Sequence, residues 1–334
     1  MKQRILTGIK PTGYPHIGNY FGAIKPAIEF SKNLDYDSFY FIADYHALTT
    51  VTTKDLLQEY TKNVACTWLA CGLDPKNVVF YKQSDIPEVF ELNWILNNVA
   101  PKGLLNRAHA YKARVEANEK LNVEADDGVN MGLFNYPILM SADILLFGTD
   151  IVPVGLDQKQ HVEIARDIAR SFNNRYGQIF VEPKEFIPQE VATLVGLDGR
   201  KMSKSYGNTI QLFSTEKALQ KSVNQIVTDC RLPGEAKDKD CTINLLYKLF
   251  VDKNKATAFE QSLIEGLGWG EAKKQLFTVM NEYIAPMREK YNYYFSHYDE
   301  VKDILNDGQQ KARKVAHEYL EKVRESIGSG KLNY

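Results

Sequence analysis

Two short segments, far apart in a chain of 334 residues, carry side chains suited to holding phosphate. The first reads Lys10-Pro11-Thr12-Gly13-Tyr14-Pro15-His16-Ile17-Gly18-Asn19 and joins an apolar strand-like run to a helix-like one. A strand ending near Gly8 that turns through Pro11, Thr12 and Gly13 brings backbone N–H groups to a helix N-terminus, where anions bind well. Gly18 lets the backbone approach a ligand closely. His16 and Asn19 are three residues apart, so both can face one anion as donors. The second segment, Gly199-Arg200-Lys201-Met202-Ser203-Lys204-Ser205, is basic and bounded by Gly199 and Gly207. Two mobile ammonium groups, Lys201 and Lys204, suit a leaving group whose charge grows late, as a departing pyrophosphate does. Each segment also has a plain reading: a strand-to-helix turn with a solvent-facing histidine, and a solvated lysine run. Neither a Walker A loop nor G-x-G-x-x-G is present in the first.

The elements that must position these segments alternate. Strand signals fall at 4–9, 38–43, 77–81, 151–154 and 179–181, and helix signals at 18–31, 54–71, 87–98, 136–147 and 157–172. Alternation at this spacing predicts α/β architecture: a doubly wound, Rossmann-like parallel sheet with helices on both faces. The charged stretch 101–135 reads as an insertion between two halves. Beyond 214 only amphipathic helices are expected, at 217–227, 242–250, 257–263, 270–294 and 301–327. The division is therefore a catalytic domain over 1–212 and an all-helical domain over 213–334.

Hydrophobic residues make up 44% of the chain, enough for real cores, and no apolar run approaches the ~20 residues needed to span a bilayer. The N-terminus leads into a strand rather than an apolar signal segment, so a cytoplasmic location without membrane contact is expected. A net charge of −1 gives no global pull toward nucleic acid. Cys66, Cys71, Cys230 and Cys241 have no metal-type spacing and read as ordinary thiols; no bound metal is assigned.

Found together and in this order, the two basic segments resemble the signatures of class I aminoacyl-tRNA synthetases. Pro-His-Ile-Gly-Asn stands where the family has His-Ile-Gly-His, and Lys-Met-Ser-Lys-Ser matches in full. Asn19 in the last position occurs on the tryptophan and tyrosine side of the class. The run YPILMSADILLF from Tyr136, with the segment 150–177, is similar to tryptophanyl-tRNA synthetases. Resemblance extends over nearly the whole chain, and a sub-branch of that family has something close to RLPGEAKDKD, 231–240.

The resemblance implies ATP as substrate with Mg²⁺, L-tryptophan, tRNA(Trp), a homodimer, and an anticodon-binding role for 213–334. It implies a tryptophan–tRNA ligase that forms tryptophanyl-adenylate and pyrophosphate before transfer. His16, Asn19, Lys201 and Lys204 would be catalytic. ATP would be held by Lys10, Pro11, Thr12, Gly18, Asn19, Gly155, Leu156, Asp157, Lys201, Met202, Ser203, Lys204 and Ser205. Tryptophan would lie among Leu6, His46, Tyr136, Met140, Asp143, Val152, Val154 and Gln158. From the residues themselves, Tyr136, Met140 and Asp143 fall at i, i+4 and i+7, on one helix face. A carboxylate on so apolar a face needs a partner. An indole N–H, which only donates, is a fitting one; pairing within the core is the alternative. Asp157 also reads as a helix N-cap, and His46 as a loop histidine. The resemblance also implies that Lys112 or Arg114 in the insertion reaches the ATP phosphates, with a solvated face as the default for both. The rivals are a tyrosine–tRNA ligase, a small-molecule nucleotidyltransferase and a non-catalytic RNA-binding paralogue.

Overall fold

The computed structural model describes residues 2–187 and 194–330. Five strands form one wholly parallel sheet: β1 (Gln3–Ile9), β2 (Tyr36–Ile42), β3 (Val78–Lys82), β4 (Ile151–Pro153) and β5 (Lys184–Phe186), in the order β3-β2-β1-β4-β5. The chain moves outward from β1 to β3 and then restarts on the other side of β1 with β4. That reversal opens a crevice beyond the strand ends between β1 and β4, the usual ligand site of such sheets. Alternate residues feed opposite faces, as the period of a strand requires. Leu6, Phe39 and Phe41 join one core with Phe147, Ile168 and Phe172. Ile5, Tyr40 and Ile42 join the other with Trp68, Leu69 and Phe80.

Several elements differ from the sequence expectation. The stretch 179–181 is not a strand. Asn173 Oδ1 accepts the N–H groups of Ile179 and Phe180 at 3.1 and 2.9 Å, which diverts them from a ladder. Pairing resumes only beyond Pro183, at β5. The expected helix at 136–147 begins earlier and runs Met131–Leu145, with Asn130 as its cap accepting from Leu133 N–H at 2.8 Å. The helix after His16 contains a π-turn, Tyr20–Ile24, closed by Lys25 N–H on Tyr20 O. Pro26 follows it and has no N–H to give to a regular turn. The stretch 101–135 is itself helical at Lys102–Leu105 and His109–Lys120.

Past residue 214 the described chain is helical. Its core, with Leu219, Leu246, Leu276 and Ile284, includes Ile17 and Met202, one from each basic segment. The last helix, Tyr298–Ser326, returns to the sheet and lies against β3. A Cβ on Gly308 would fall 1.8 Å from the Phe80 carbonyl oxygen, so only glycine permits this approach. Gly308→Ala is expected to lower stability by about 1–3 kcal/mol in denaturant titration, as overpacking does. Several basic residues of this helix are engaged: Lys311 with Asp307, Arg313 with Glu88, and Arg324 with Glu91 and Glu321. Among the described residues no helix is long and apolar enough to cross a membrane.

Candidate active site

β1 delivers the chain to the first basic segment at the mouth of the crevice. Thr12 N–H closes a tight turn on Lys10 O at 3.0 Å, and Gly13 takes a φ of 130°, which favours glycine. A Cβ on Gly13 would lie 3.2 Å from the Lys204 ammonium, so the second segment sits directly over the first. At the helix start, Asn19 Oδ1 accepts His16 N–H at 3.1 Å. The amide therefore keeps its NH₂ as the group left to donate. A Cβ on Gly18 would meet the His16 ring at 2.8 Å and Met202 Sδ at 3.4 Å.

His16 is buried, and that burial, helped by the charge of Lys204, lowers its pKa to about 4. At neutral pH it is an uncharged hydrogen-bonding ring. An unfolded histidine titrates near ~6.5, so between that value and about 4 the unfolded chain binds the proton first. This contribution to stability is whole above the unfolded value and is lost as pH falls through the window. His16→Gln should flatten that part of the stability–pH profile, read by denaturant titration.

The second segment is stitched to the first by backbone bonds. Ile17 N–H donates to Ile210 O and Leu212 N–H to Pro15 O, both at 3.0 Å. Met202 is buried in the same core as Ile17. Asn208, also buried, braces the loop from inside. Its Oδ1 accepts Ser203 N–H at 2.8 Å, and its Nδ2 donates to Lys201 O at 3.1 Å and Asp198 Oδ1 at 2.7 Å. The Asn208 amide and the Arg200 guanidinium hold the Asp198 carboxyl down at about 2. Ser203 and Ser205 hydroxyls pair at 2.8 Å. Lys201 and Lys204 reach solvent, while partial burial of the Lys204 ammonium lowers its pKa.

Beside the first segment lies a cavity of about 470 Å³, bounded by the ends of β1 and β4 and one face of the Met131–Leu145 helix. Leu6, His46, Tyr136, Met140, Asp143, Val152, Val154 and Gln158 all line it, with Gly155 and Lys10. Lys10 also borders a small cavity with Thr12, Gly13, Asn19 and Lys204, and its ammonium donates to Thr49 Oγ1 at 2.7 Å. Pro11 is buried in the turn. Tyr136 hydroxyl and the buried His161 ring are hydrogen-bonded. Leu156 is 74% exposed on the turn after β4, and the Asp157 side chain lies outside the described residues. Lys112 pairs with Glu116 and Arg114 reaches Asp127 O, both exposed; neither lines either cavity.

Asp143 has partners within the fold. His46 Nε2 lies 3.0 Å from its Oδ2, and Gln83 Nε2 donates to Oδ1 at 2.9 Å and Oδ2 at 2.8 Å. Burial still raises its pKa, opposed by these donors. Sequence reasoning missed Gln83, Thr49 and Asn208. Gln83 could have been found: it directly follows β3, and polar residues at the C-terminal ends of parallel strands face the ligand crevice.

The two-loop site over a five-stranded parallel sheet defines a nucleotide-activating enzyme of synthetase type. The family model for tRNA synthetases class I (W and Y) matches residues 1–285, and the chain belongs to that family. The tryptophan–tRNA ligase of Neisseria meningitidis is 52% identical over 329 residues, which is 98% of each chain. That of Pseudomonas aeruginosa is 52% identical over 332 residues, 98% of this chain and 74% of the relative. The crystal structure of tryptophanyl-tRNA synthetase from Campylobacter jejuni complexed with ADP and tryptophan matches with a TM-score of 0.89 at 45% identity, over 98% of this chain and 100% of that one. Within its family, then, the chain stands with the tryptophan–tRNA ligases and is an aminoacyl-tRNA ligase.

Proposed function

We infer that the larger cavity takes L-tryptophan with its indole toward Asp143, and that ATP lies from Gly155 across Lys10 to the two basic segments. The observation that carries this reading is the place of Lys10, which borders both the cavity of Asp143 and the cavity of Lys204. An amino acid in one and phosphates in the other would meet there. The tryptophan carboxylate then attacks the α-phosphorus in line, the bond to the β-phosphate breaks, and pyrophosphate leaves. Transfer of the tryptophanyl group to the terminal ribose of tRNA(Trp) follows.

No side chain need form a covalent intermediate, because positioning and charge stabilisation supply most of the rate in such reactions. His16 and Asn19 donate in the α- and β-phosphate region, and Lys201 and Lys204 receive the departing charge. Among the described residues no cluster of three or more His, Cys, Asp or Glu side chains could hold a metal ion. Mg²⁺ would enter with ATP as part of the substrate and supply charge neutralisation there. The helices past 213 are read as the anticodon-binding part, the working assembly as a homodimer, and the cytoplasm as its place.

Amino-acid-dependent exchange of labelled pyrophosphate into ATP tests the reading. Exchange with tryptophan alone is expected, whereas exchange with tyrosine or with no amino acid would sink it. Asn208→Ala should raise the KM for ATP about tenfold in that assay, since two backbone groups of the loop lose their partner.

A further inference from the structure

Gln83 holds Asp143 without itself lining the cavity, and its orientation is chemically fixed. The side chain is fully buried, and its Oε1 accepts the N–H groups of Tyr45 and His46 at 3.1 and 3.3 Å. Backbone N–H groups only donate, so the amide oxygen must face them and the NH₂ must face Asp143. The turn that carries Gln83 is tied to the same neighbour: Ser84 N–H and hydroxyl donate to the Asp44 carboxylate at 3.0 and 2.5 Å.

The acceptor sites of Asp143 can be counted. A carboxylate offers about four, two on each oxygen. Oδ2 takes Gln83 and His46, and Oδ1 takes Gln83 alone. One site remains on Oδ1, on a residue that borders the cavity. A single acceptor suits an indole nitrogen, which brings one N–H and no lone pair. A phenol hydroxyl also brings lone pairs that need a donor, and the donors beside Asp143 are already engaged.

We propose that Gln83 is a positioning residue for amino-acid selection: its amide turns the Asp143 carboxylate so that one acceptor on Oδ1 is kept for the indole N–H. This rests on the reading of the cavity as a tryptophan site. The test compares adenylate formation with tryptophan and with its benzothiophene analogue, in which sulfur replaces the N–H. The intact enzyme should prefer tryptophan by roughly 10–100-fold in kcat/KM, the range of a hydrogen bond to a charged group. In Gln83→Met that preference should shrink by about tenfold. Because the preference is a ratio measured on one preparation, partial unfolding cancels out of it.

An intact enzyme without preference would remove the role of Asp143 itself, and this proposal with it. A preference in the intact enzyme that Gln83→Met leaves unchanged would overturn the role of Gln83 alone. Gln83→Leu provides a second packing of the same site. If neither variant folds, the amide serves structure only and the proposal falls.

Discussion

Replacing Lys204 by alanine is expected to slow tryptophan-dependent pyrophosphate exchange by about 10²–10³-fold, the usual cost of one preorganised donor at a developing charge. The ammonium stands over Gly13, where a β-carbon would come within 3.2 Å of it, and borders the small cavity shared with Lys10 and Asn19. Its position is therefore set by the turn beneath it. The loss should appear in kcat, with the KM for tryptophan little changed, because the larger cavity is lined by other residues. Stability should move by less than about 0.5 kcal/mol, since the residue is exposed and makes no ion pair among the described residues. A variant that exchanges at the intact rate would remove Lys204 from the chemistry. Losing only tryptophan affinity would move the phosphate path away from the loop.

Asp143→Ala is expected to fail in two measurements at once. The fold should lose about 3–5 kcal/mol, because a buried group with charged or hydrogen-bonded partners leaves them stranded when removed. Those partners are the Gln83 amide and the His46 ring, held at 2.8 and 3.0 Å. The variant that still folds should show kcat/KM for tryptophan reduced on the order of 10²-fold, the upper range for a hydrogen bond to a charged acceptor. The KM for ATP should hardly respond. Unchanged use of tryptophan would mean that Asp143 serves the core and that the indole is read elsewhere. Burial raises the pKa of this carboxyl, so its ionised form carries a cost inside the fold. The Gln83 amide and the His46 ring offset part of that cost.

Much of this was legible in the residues, and the parts that were not share a cause. Alternating strand and helix signals predicted the parallel sheet, and helix spacing put Tyr136, Met140 and Asp143 on one side of one helix. Both follow from local geometry. What Asp143 binds within the fold is set by Gln83 and His46, which arrive from two other strand ends and leave no mark in the local pattern. The apolar run 179–181 looked like a strand because apolarity signals burial. Phe180 is indeed buried, but Asn173 takes its backbone bonds. The last helix was recognisable by its amphipathic spacing, whereas the surface it covers was not. Gly308, with Ala312 and Ala316 further along, gives that surface away only once the contact is seen.

The docking of that helix changes where the support of the cavity ends. Beyond Gly308, Gln309 Nε2 donates to the carbonyl of Asp85 at 3.3 Å, in the very turn that begins with Gln83. Residues near the carboxyl end of the chain thus form the back wall of the strand and turn that hold Asp143. A protein shortened before Tyr298 would keep every side chain that lines the cavity and still lose the support behind the turn that holds Asp143.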